Sequence, residues 1–174
     1  MPVGIGYDVH QLVPGRRLVL GGVEFPGDRE LLGHSDADVA THAVMDALLG
    51  AAALGDIGQL FPPSDARYEA ARSVELLRQV VRLLAEHQWC VGNVDLTIVA
   101  EWPKIGPRAT EMRRQLGEAL GIGAARVSVK ATTNEGLGFI GRGEGIAALA
   151  VAEIVRPEST DSTLAPSARS ERHG

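Results

Sequence analysis

The chain has 174 residues, of which 45% are hydrophobic and 22% are charged. This composition is typical of one globular domain with a sizeable core. The formal net charge is −5, and no basic run is interleaved with aromatic residues, which argues against a nucleic-acid partner. The single cysteine, Cys90, excludes an internal disulfide and favours a reducing compartment. No segment resembles a signal peptide or an apolar run of membrane-spanning length, so we expect a cytoplasmic protein with no membrane partner.

Short strands followed by a helix are predicted in the first third of the chain. Residues 3–9 predict a first strand, and residues 17–20 and 23–25, joined by a glycine turn, predict a hairpin. A buried helix is predicted over residues 38–53 by its period and its small apolar residues. Ser35, three residues before the acidic start of this segment, matches a capping box and predicts where the helix opens.

Helices and strands alternate in the rest of the chain. The predicted elements are a helix over about residues 73–87, a strand over 91–100, a helix from near Pro107 to Gly121, a strand over 127–132 and a final strand over 145–155. This order predicts an α/β layer fold, with three main helices on one face of a mixed sheet. We expect a single domain over residues 1–156 and a disordered polar tail over residues 157–174.

The last predicted strand is unusually apolar. Residues 146–152 are apolar at nearly every position, which indicates burial on both faces of the sheet. Because the three helices cover only one face, the other face needs a different cover. A subunit interface is the simplest one, so we predict a homo-oligomer.

Asp8, His10 and His42 predict a metal site. Side chains two apart on a strand share a face, so Asp8 and His10 point the same way. His42 lies on the predicted buried helix, in a polar stripe with Asp38 and Asp46. Two imidazoles and one carboxylate suit zinc or a similar divalent ion, and the fourth coordination position would stay open for chemistry. The spacing equally allows an alternative, in which Asp8 and His10 are solvated and His42 is a core histidine satisfied by Asp46 or a backbone carbonyl.

The glycine-rich segment at residues 136–141 matches the pattern G-x-G-x-x-G and follows a strand. A dinucleotide-binding fold would need a helix directly after the loop and a further strand, whereas the next predicted element is the last strand. The better interpretation is a loop whose backbone can approach phosphate oxygens. Arg142 could bind phosphate there, and Glu135 could hold a second, harder cation. For each of these side chains, a surface salt bridge is the alternative.

Two further regions could contact a ligand. Residues 100–107 leave a strand through a proline-containing turn and present backbone groups and one cation before a helix, an arrangement suited to a base or a phosphate. The turns at residues 54–58 and 61–65 follow the helix that carries His42. Their acidic residues could bind hydroxyls or a metal, or merely form turns.

Seven segments of the chain form an ordered set. They are Asp8–His10, Leu32–His42, Asp46–Ala51, Leu54–Gly58, Gly92–Asp95, Lys130–Glu135 and Gly138–Gly145. In order and spacing they resemble one family, the 2-C-methyl-D-erythritol 2,4-cyclodiphosphate synthases of the non-mevalonate isoprenoid pathway. The resemblance covers roughly residues 1–156, and it favours the zinc interpretation of Asp8, His10 and His42.

The resemblance implies a phosphorus–oxygen lyase that cyclises 4-diphosphocytidyl-2-C-methyl-D-erythritol 2-phosphate and releases CMP. The 2-phosphate of the substrate would attack its own β-phosphorus, so no protein nucleophile is needed. By match to the family, Asp8, His10 and His42 would bind zinc, and Glu135 would contribute to a site for Mg²⁺ or Mn²⁺. Family members are homotrimers with active sites between subunits, which would explain the doubly apolar last strand.

The resemblance also implies roles for individual residues. His34 and Thr133 would be catalytic, as hydrogen-bond donors to the phosphates. The implied substrate-binding residues are Ser35, Asp56, Gly58, Phe61, Asp65, Ala100, Pro103, Lys104, Ile105, Gly106, Ala131, Thr132, Phe139 and Arg142. Within this set, the residues at 56 and 58 would hold the methylerythritol hydroxyls, and those at 100–106 and 131–132 would take the cytidine. Arg142 would lie near the threefold axis, where an isoprenoid diphosphate could bind.

The chain departs from the family pattern at Pro63, Ile105, Gly106 and Gly136. These departures leave open how the loop holds the sugar and how tightly cytidine binds. Two other classes of protein remain as alternatives. A zinc-dependent phosphoesterase would use the same ligands to activate water and would release inorganic phosphate. A non-catalytic trimer would bind an isoprenoid or a nucleotide without converting it.

Overall fold

The computed structural model describes residues 1–157. In this part of the chain the strands are β1 (Val3–Pro14), β2 (Leu18–Leu20), β3 (Val23–Phe25), β4 (Arg29–Leu31), β5 (Cys90–Val99), β6 (Val127–Thr132) and β7 (Gly145–Val155). The helices are α1 (Val39–Ala51), α2 (Ile57–Leu60), α3 (Ser73–Glu86), α4 (Ala109–Leu120) and α5 (Gly138–Gly141). Short 3₁₀ turns lie at Ala66–Tyr68, Gly106–Arg108 and Ala124–Arg126.

Five strands form one mixed sheet in the order β4-β1-β7-β5-β6, and β2 and β3 form a separate hairpin. The pairs β1–β4, β1–β7 and β7–β5 are antiparallel, whereas β5–β6 is parallel. Helices α1, α3 and α4 cover one face, since α1 packs on β1 and β7, α3 on α1 and β5, and α4 on β6 and α3. The predicted α/β fold, with its mixed sheet and three main helices on one face, is therefore confirmed. None of the helices within residues 1–157 is long and apolar enough to cross a membrane.

Helix α1 lies in direct backbone contact with β1. A Cβ atom on Gly6 would lie 2.0 Å from the carbonyl oxygen of Ala43, and one on Gly4 would lie 2.0 Å from that of Ala47. Real Cβ atoms do not approach backbone oxygens so closely, so only glycine allows this contact. The contact brings His42, the neighbour of Ala43, against the strand that carries Asp8 and His10.

The start of α1 differs from the predicted capping box. Asp38 is the N-cap, and its carboxylate accepts hydrogen bonds from the backbone N–H of Thr41 (3.0 Å) and from the Thr41 hydroxyl (2.7 Å). The same buried carboxylate accepts from the backbone N–H groups of Gly21 and Gly22. Asp38 therefore ties α1 to the turn between β2 and β3 and does not share a polar stripe with His42. Ser35 instead accepts from the backbone N–H of Ala37 at 3.1 Å.

Several element boundaries were not predicted from the sequence. Strand β1 extends to Pro14, and β4 and α2 were not predicted at all. The glycine-rich loop contains the four-residue helix α5 before β7, so the expectation that it leads directly into a strand was wrong. This single turn is still much shorter than the helix of a dinucleotide-binding unit. The predicted disordered tail falls, apart from Pro157, outside the described residues.

The second face of the sheet is apolar and uncovered within one chain. On β7, Leu149 and Val151 are 43% and 37% exposed, so β7 is not buried on both faces by its own chain. On β1, Val3, Ile5 and Tyr7 are also exposed, and Ile5 reaches 70%. These neighbouring side chains form a continuous surface, which we call the outer apolar face. Contiguous apolar surface of this kind marks an interaction site.

We expect Gly6→Ala to lower the free energy of unfolding by about 1–3 kcal/mol, because the added methyl group must push α1 off β1. Gly50→Ala in α1 is the matched control, since a Cβ atom on Gly50 meets nothing within 4 Å. The control should be neutral or more stable by about 0.5–1 kcal/mol, because alanine favours helix over glycine. Urea denaturation of the three proteins measures both effects. A Gly6→Ala variant as stable as the parent would contradict the close contact.

Candidate functional site

The contact between β1 and α1 brings Asp8, His10 and His42 together. One carboxylate oxygen of Asp8 lies 3.0 Å from Nδ1 of His42 and 3.1 Å from Nε2 of His10. The two imidazole nitrogens lie 3.3 Å apart. Three potential ligand atoms from β1 and the distant helix α1 thus form a small triangle.

The electrostatics of the triangle are those of an ion pair. Burial alone would raise the pKa of Asp8, but hydrogen bonds and positive charge from His10 and His42 outweigh it and hold that pKa well below its usual range. Burial alone would lower the pKa of His10, but the hydrogen bond to the Asp8 carboxylate, its charge and the Leu32 carbonyl raise it above 6.5. A cation placed among these groups would replace the proton that the pair shares.

The donor set fits a divalent ion. Nδ1 of His10 lies 2.7 Å from the carbonyl oxygen of Leu32 and can only donate to it, so in the neutral ring that binds a metal the free electron pair is on Nε2. Metal–ligand bonds of about 2.0–2.2 Å in tetrahedral geometry separate ligand atoms by roughly 3.3–3.6 Å. The triangle, with edges of 3.0–3.3 Å, needs only slight expansion to reach those separations. Asp8, His10 and His42 could therefore hold a metal ion with one coordination position free.

The competing interpretation of these residues does not match their contacts. Asp8 and His10 are partly buried and face His42, which is only 9% exposed. His42 is not satisfied by Asp46, because Asp46 accepts from the backbone N–H of Ile57 at 2.9 Å. Burial raises the pKa of Asp46. Asp46 therefore fixes the turn after α1, which carries part of the cavity wall.

A cavity of about 480 Å³ opens above the triangle. Five more of the predicted site residues line it: His34, Ser35, Gly58, Phe61 and Asp65. The rest of the lining is mixed, with apolar groups such as Met45 and Ile57. Concave sites with an apolar wall and a few convergent polar groups are typical ligand sites.

Two acidic residues, Asp56 and Asp65, are held by hydrogen bonds within their own turns, and of the two only Asp65 lines the cavity. Asp56 caps α2, since its carboxylate accepts from the backbone N–H of Gln59 at 2.9 Å and from the Gln59 side chain. These hydrogen bonds lower the pKa of Asp56. Asp65 is bound by the guanidinium and the backbone N–H of Arg67, which lower its pKa. Both carboxylates are thus ionised hydrogen-bond acceptors. Asp65 lies in the cavity wall, and Asp56 directly precedes the lining residues Ile57 and Gly58.

A second group of predicted site residues lies at the carboxyl ends of β5 and β6. The members of this group do not line the cavity above the triangle. They are Ala100, Pro103, Lys104, Ile105, Gly106, Ala131, Thr132, Thr133 and Glu135. The two strands are joined there by a hydrogen bond from Ala100 to Thr132 at 3.0 Å. The side chain of Ile105 is 4% exposed and belongs to the core, so only its backbone is available to a ligand.

The two groups lie at the same level of the sheet but on different strands. Asp8 pairs with Ala148, Ala148 pairs with Ile98, and Ile98 pairs with Ala131. Three strand spacings of about 4.8 Å separate Asp8 from Ala131, which amounts to roughly 14 Å. Within one chain, the triangle and the second group are therefore separate surfaces.

The loop that carries Glu135 is held by the partly buried carboxylate of Glu101, a role that was not predicted from the sequence. One oxygen of Glu101 accepts from the backbone N–H groups of Asn134 (2.9 Å) and Gly136 (3.3 Å). Glu135 itself has a positive φ of 51°, which turns the N–H groups of the residues on either side of it toward that oxygen. Thr133 accepts from the backbone N–H of Glu135 at 3.3 Å. Glu101 thus fixes the loop that presents the Thr133 and Glu135 side chains.

The remaining predicted residues, Phe139 and Arg142, form a third region. Phe139 lies on α5, is partly exposed and approaches Gly145 at the start of β7. The Arg142 guanidinium donates to Glu144 at 2.7 Å and lowers the pKa of that carboxyl. The exposed pair matches the salt-bridge alternative for Arg142. Such a pair contributes little to stability but leaves the guanidinium accessible.

One neighbour of the triangle was not predicted from the sequence. Ser73, the first residue of α3, is fully buried, and its hydroxyl lies 2.9 Å from Nε2 of His42. Only the start of α3 was predicted at this position. A separation of 31 residues between Ser73 and His42 carries no periodic signal that could have paired them.

Comparison with known proteins identifies relatives over nearly the whole described chain. The YgbB family model matches residues 1–155. A 2-C-methyl-D-erythritol 2,4-cyclodiphosphate synthase of Symbiobacterium thermophilum is 64% identical over 154 residues, which are 88% of this chain and 98% of the relative.

Solved structures share the fold. The bifunctional IspDF from Campylobacter jejuni matches with a TM-score of 0.86 and 40% identity over 89% of this chain, which spans 42% of that longer chain. A CDP complex of IspF from Plasmodium falciparum matches with a TM-score of 0.78 and 32% identity, over 89% of this chain and 96% of that chain.

Proposed function

The chain belongs to the YgbB family, and we propose that it cyclises 4-diphosphocytidyl-2-C-methyl-D-erythritol 2-phosphate to 2-C-methyl-D-erythritol 2,4-cyclodiphosphate. The triangle of Asp8, His10 and His42 at the floor of a cavity carries the proposal. An oxygen of the 2-phosphate bonds to the β-phosphorus, and the bond from that phosphorus to the oxygen shared with the α-phosphate breaks. CMP leaves with the bonding electron pair, and no water is consumed. Residues 1–156 would form the whole catalytic domain.

Because nucleophile and leaving group belong to one molecule, the protein must mainly fold the substrate and neutralise charge. Asp8, His10 and His42 would hold zinc, and Glu135 would help to hold Mg²⁺ or Mn²⁺. When bound, these ions would supply charge neutralisation and polarisation of the β-phosphate. The fit of the donor triangle supports the first site, and the fixed loop around Glu135 supports the second.

Hydrogen-bond donors would hold the phosphates in line. His34 and Ser35 line the cavity beside the triangle, which supports their role at the phosphates on that side. Thr133 would donate from the loop fixed by Glu101. The hydroxyl groups of Ser35 and Thr133 are already held by backbone N–H groups, so they would stabilise developing charge with little reorganisation.

The organic ends of the substrate would bind on either side of the diphosphate. The ionised Asp56 and the backbone of Gly58 would accept and donate to the methylerythritol hydroxyls, with Phe61 and Asp65 on the cavity wall. The cytidine would lie at the ends of β5 and β6, against the backbone of residues 100–106 and of residues 131–132. The CDP complex of a relative with this fold supports a nucleotide ligand.

We place the active site between subunits of a homotrimer. Asp8 and the loop after β6 would have to act on the same diphosphate, yet within one chain Asp8 and Ala131 are separated by roughly 14 Å of sheet. The cytidine-binding surface of one chain would therefore complete the cavity of its neighbour. The outer apolar face supplies surface for such an assembly. Arg142 and Glu144 would then lie near the threefold axis, where an isoprenoid diphosphate would have to compete with Glu144 for the guanidinium.

The assembly predicts that Ile5→Glu breaks the trimer and, with it, the activity, because a charge would be buried in the outer apolar face. Light scattering after size-exclusion chromatography should give three chains for the parent and fewer for the variant. Thr110→Glu, on the exposed side of α4, makes the same charge change and should alter neither mass nor activity. A parent mass of one chain would refute the intersubunit site.

The reaction itself is tested by phosphorus NMR of the protein with substrate, zinc and Mg²⁺. We expect equal amounts of CMP and a cyclic diphosphate from the parent. His42→Ala should lower the rate by more than about 100-fold, since loss of even an outer partner of a metal ligand typically costs 10–100-fold. His87→Ala, at the exposed end of α3, is the matched control and should be fully active.

Each alternative function has its own outcome in this experiment. Inorganic phosphate as the product would indicate a zinc-dependent phosphoesterase. Unchanged substrate, together with a His42→Ala variant of unchanged ligand affinity, would indicate a non-catalytic binding protein. The cytoplasmic location remains a prediction from the sequence.

A further inference from the structure

A chain of hydrogen bonds runs from the back of the triangle into the core. Nδ1 of His42 faces Asp8 and His10, while Nε2 of the same ring lies 2.9 Å from the hydroxyl of Ser73. The Ser73 hydroxyl in turn donates to a carboxylate oxygen of Asp36 at 2.5 Å. Ser73 is fully buried, so water does not compete for its hydroxyl.

The chemistry of the three groups fixes the direction of this chain. An ionised carboxylate has no proton to give, so the Asp36 oxygen accepts the single hydroxyl proton of Ser73. The Ser73 oxygen can then only accept from His42, which places the ring proton on Nε2. The electron pair of Nδ1 is thereby aimed at Asp8 and His10, where a metal ion would bind.

Asp36 is itself held in place. Both of its oxygens accept from the backbone N–H of Ser73, at 3.2 and 3.1 Å, so Asp36 closes the first turn of α3 in place of the missing cap at Arg72. Its own backbone N–H donates to the carbonyl of Ala71 at 3.1 Å. The carboxylate therefore remains in reach of the Ser73 hydroxyl whether or not a metal is bound.

We propose that Ser73 and Asp36 are positioning residues for the metal site, acting on it through His42. They hold the ring in one tautomer and one orientation. The negative charge of Asp36 acts through the Ser73 hydroxyl and makes the Nδ1 electron pair a stronger ligand for a divalent ion. The inference rests on the proposed metal site but adds residues that touch neither metal nor substrate. The hydroxyl of Ser35 lies farther from Nε2, at 3.3 Å, so Ser73 at 2.9 Å is the nearer acceptor.

The test is zinc affinity, measured on the full chain after chelator treatment by competition with a chromophoric chelator. We expect Ser73→Ala to weaken zinc binding by about 10–100-fold, because His42 loses the acceptor that fixes its tautomer. Ser128→Ala, on the exposed surface of β6, is the matched control and should bind zinc like the parent. A Ser73→Ala variant with parental zinc affinity would overturn the inference.

A second readout is the protonation of His42 when zinc is bound. Nitrogen NMR of the imidazoles in the zinc-loaded parent should show His42 protonated at Nε2, and in Ser73→Ala the two tautomers should mix. A merely structural role for Ser73 would lower stability without changing the tautomer. A parent protonated at Nδ1 would overturn the inference.

Asp36→Asn covers the case in which Ser73→Ala does not fold. The amide oxygen can still accept from the backbone and hydroxyl of Ser73, so the first turn of α3 is kept while the negative charge is lost. We expect this variant to fold and to bind zinc less tightly than the parent, and an unchanged affinity would contradict the relay. If the parent bound no zinc, the proposed metal site would fail, whereas a parent that binds with unaffected variants would refute only the inference.

Discussion

The backbone contact between β1 and α1 is the constraint on which the site depends. Gly4 and Gly6 let the helix lie so close to the strand that a side chain at either position would collide with a helix carbonyl. That closeness sets His42 against the strand that carries Asp8, so that Nδ1 of His42 lies 3.0 Å from a carboxylate oxygen of Asp8. A metal site needs its ligands placed to within a few tenths of an ångström, and here a rigid strand and a rigid helix supply that placement.

The carboxylates in and around the site are each paired with a positive or hydrogen-bond-donating group. A partly buried carboxylate between two imidazoles is costly unless a proton or a cation lies among them. Around this centre, other carboxylates act as acceptors for backbone N–H groups. Asp38 ties α1 to the β2–β3 turn, and Glu101 holds the loop of Glu135. The loops around the cavity are thus fixed by charged hydrogen bonds from the scaffold, which is how loops can carry precise chemistry.

Local patterns predicted much of this molecule, and contacts between distant segments account for what they missed. Alternation on β1 correctly put Asp8 and His10 on one face, and helical spacing correctly put His42 on a buried helix. The cap at Asp38 was missed because its partners include a turn 16 or 17 residues away. Ser73 was missed for the same reason, and the four-residue helices were too short to show a period. The apolar pattern of β7 indicated a covered face, yet a single chain does not contain the cover.

The central claim is that Asp8, His10 and His42 bind one divalent ion at the floor of the cavity. Anomalous X-ray diffraction on either side of the zinc absorption edge, from crystals grown with zinc, tests it most directly. We expect one strong peak about 2.0–2.2 Å from a carboxylate oxygen of Asp8, Nε2 of His10 and Nδ1 of His42. No anomalous density among these three atoms, or a peak bound through Nε2 of His42, would contradict it.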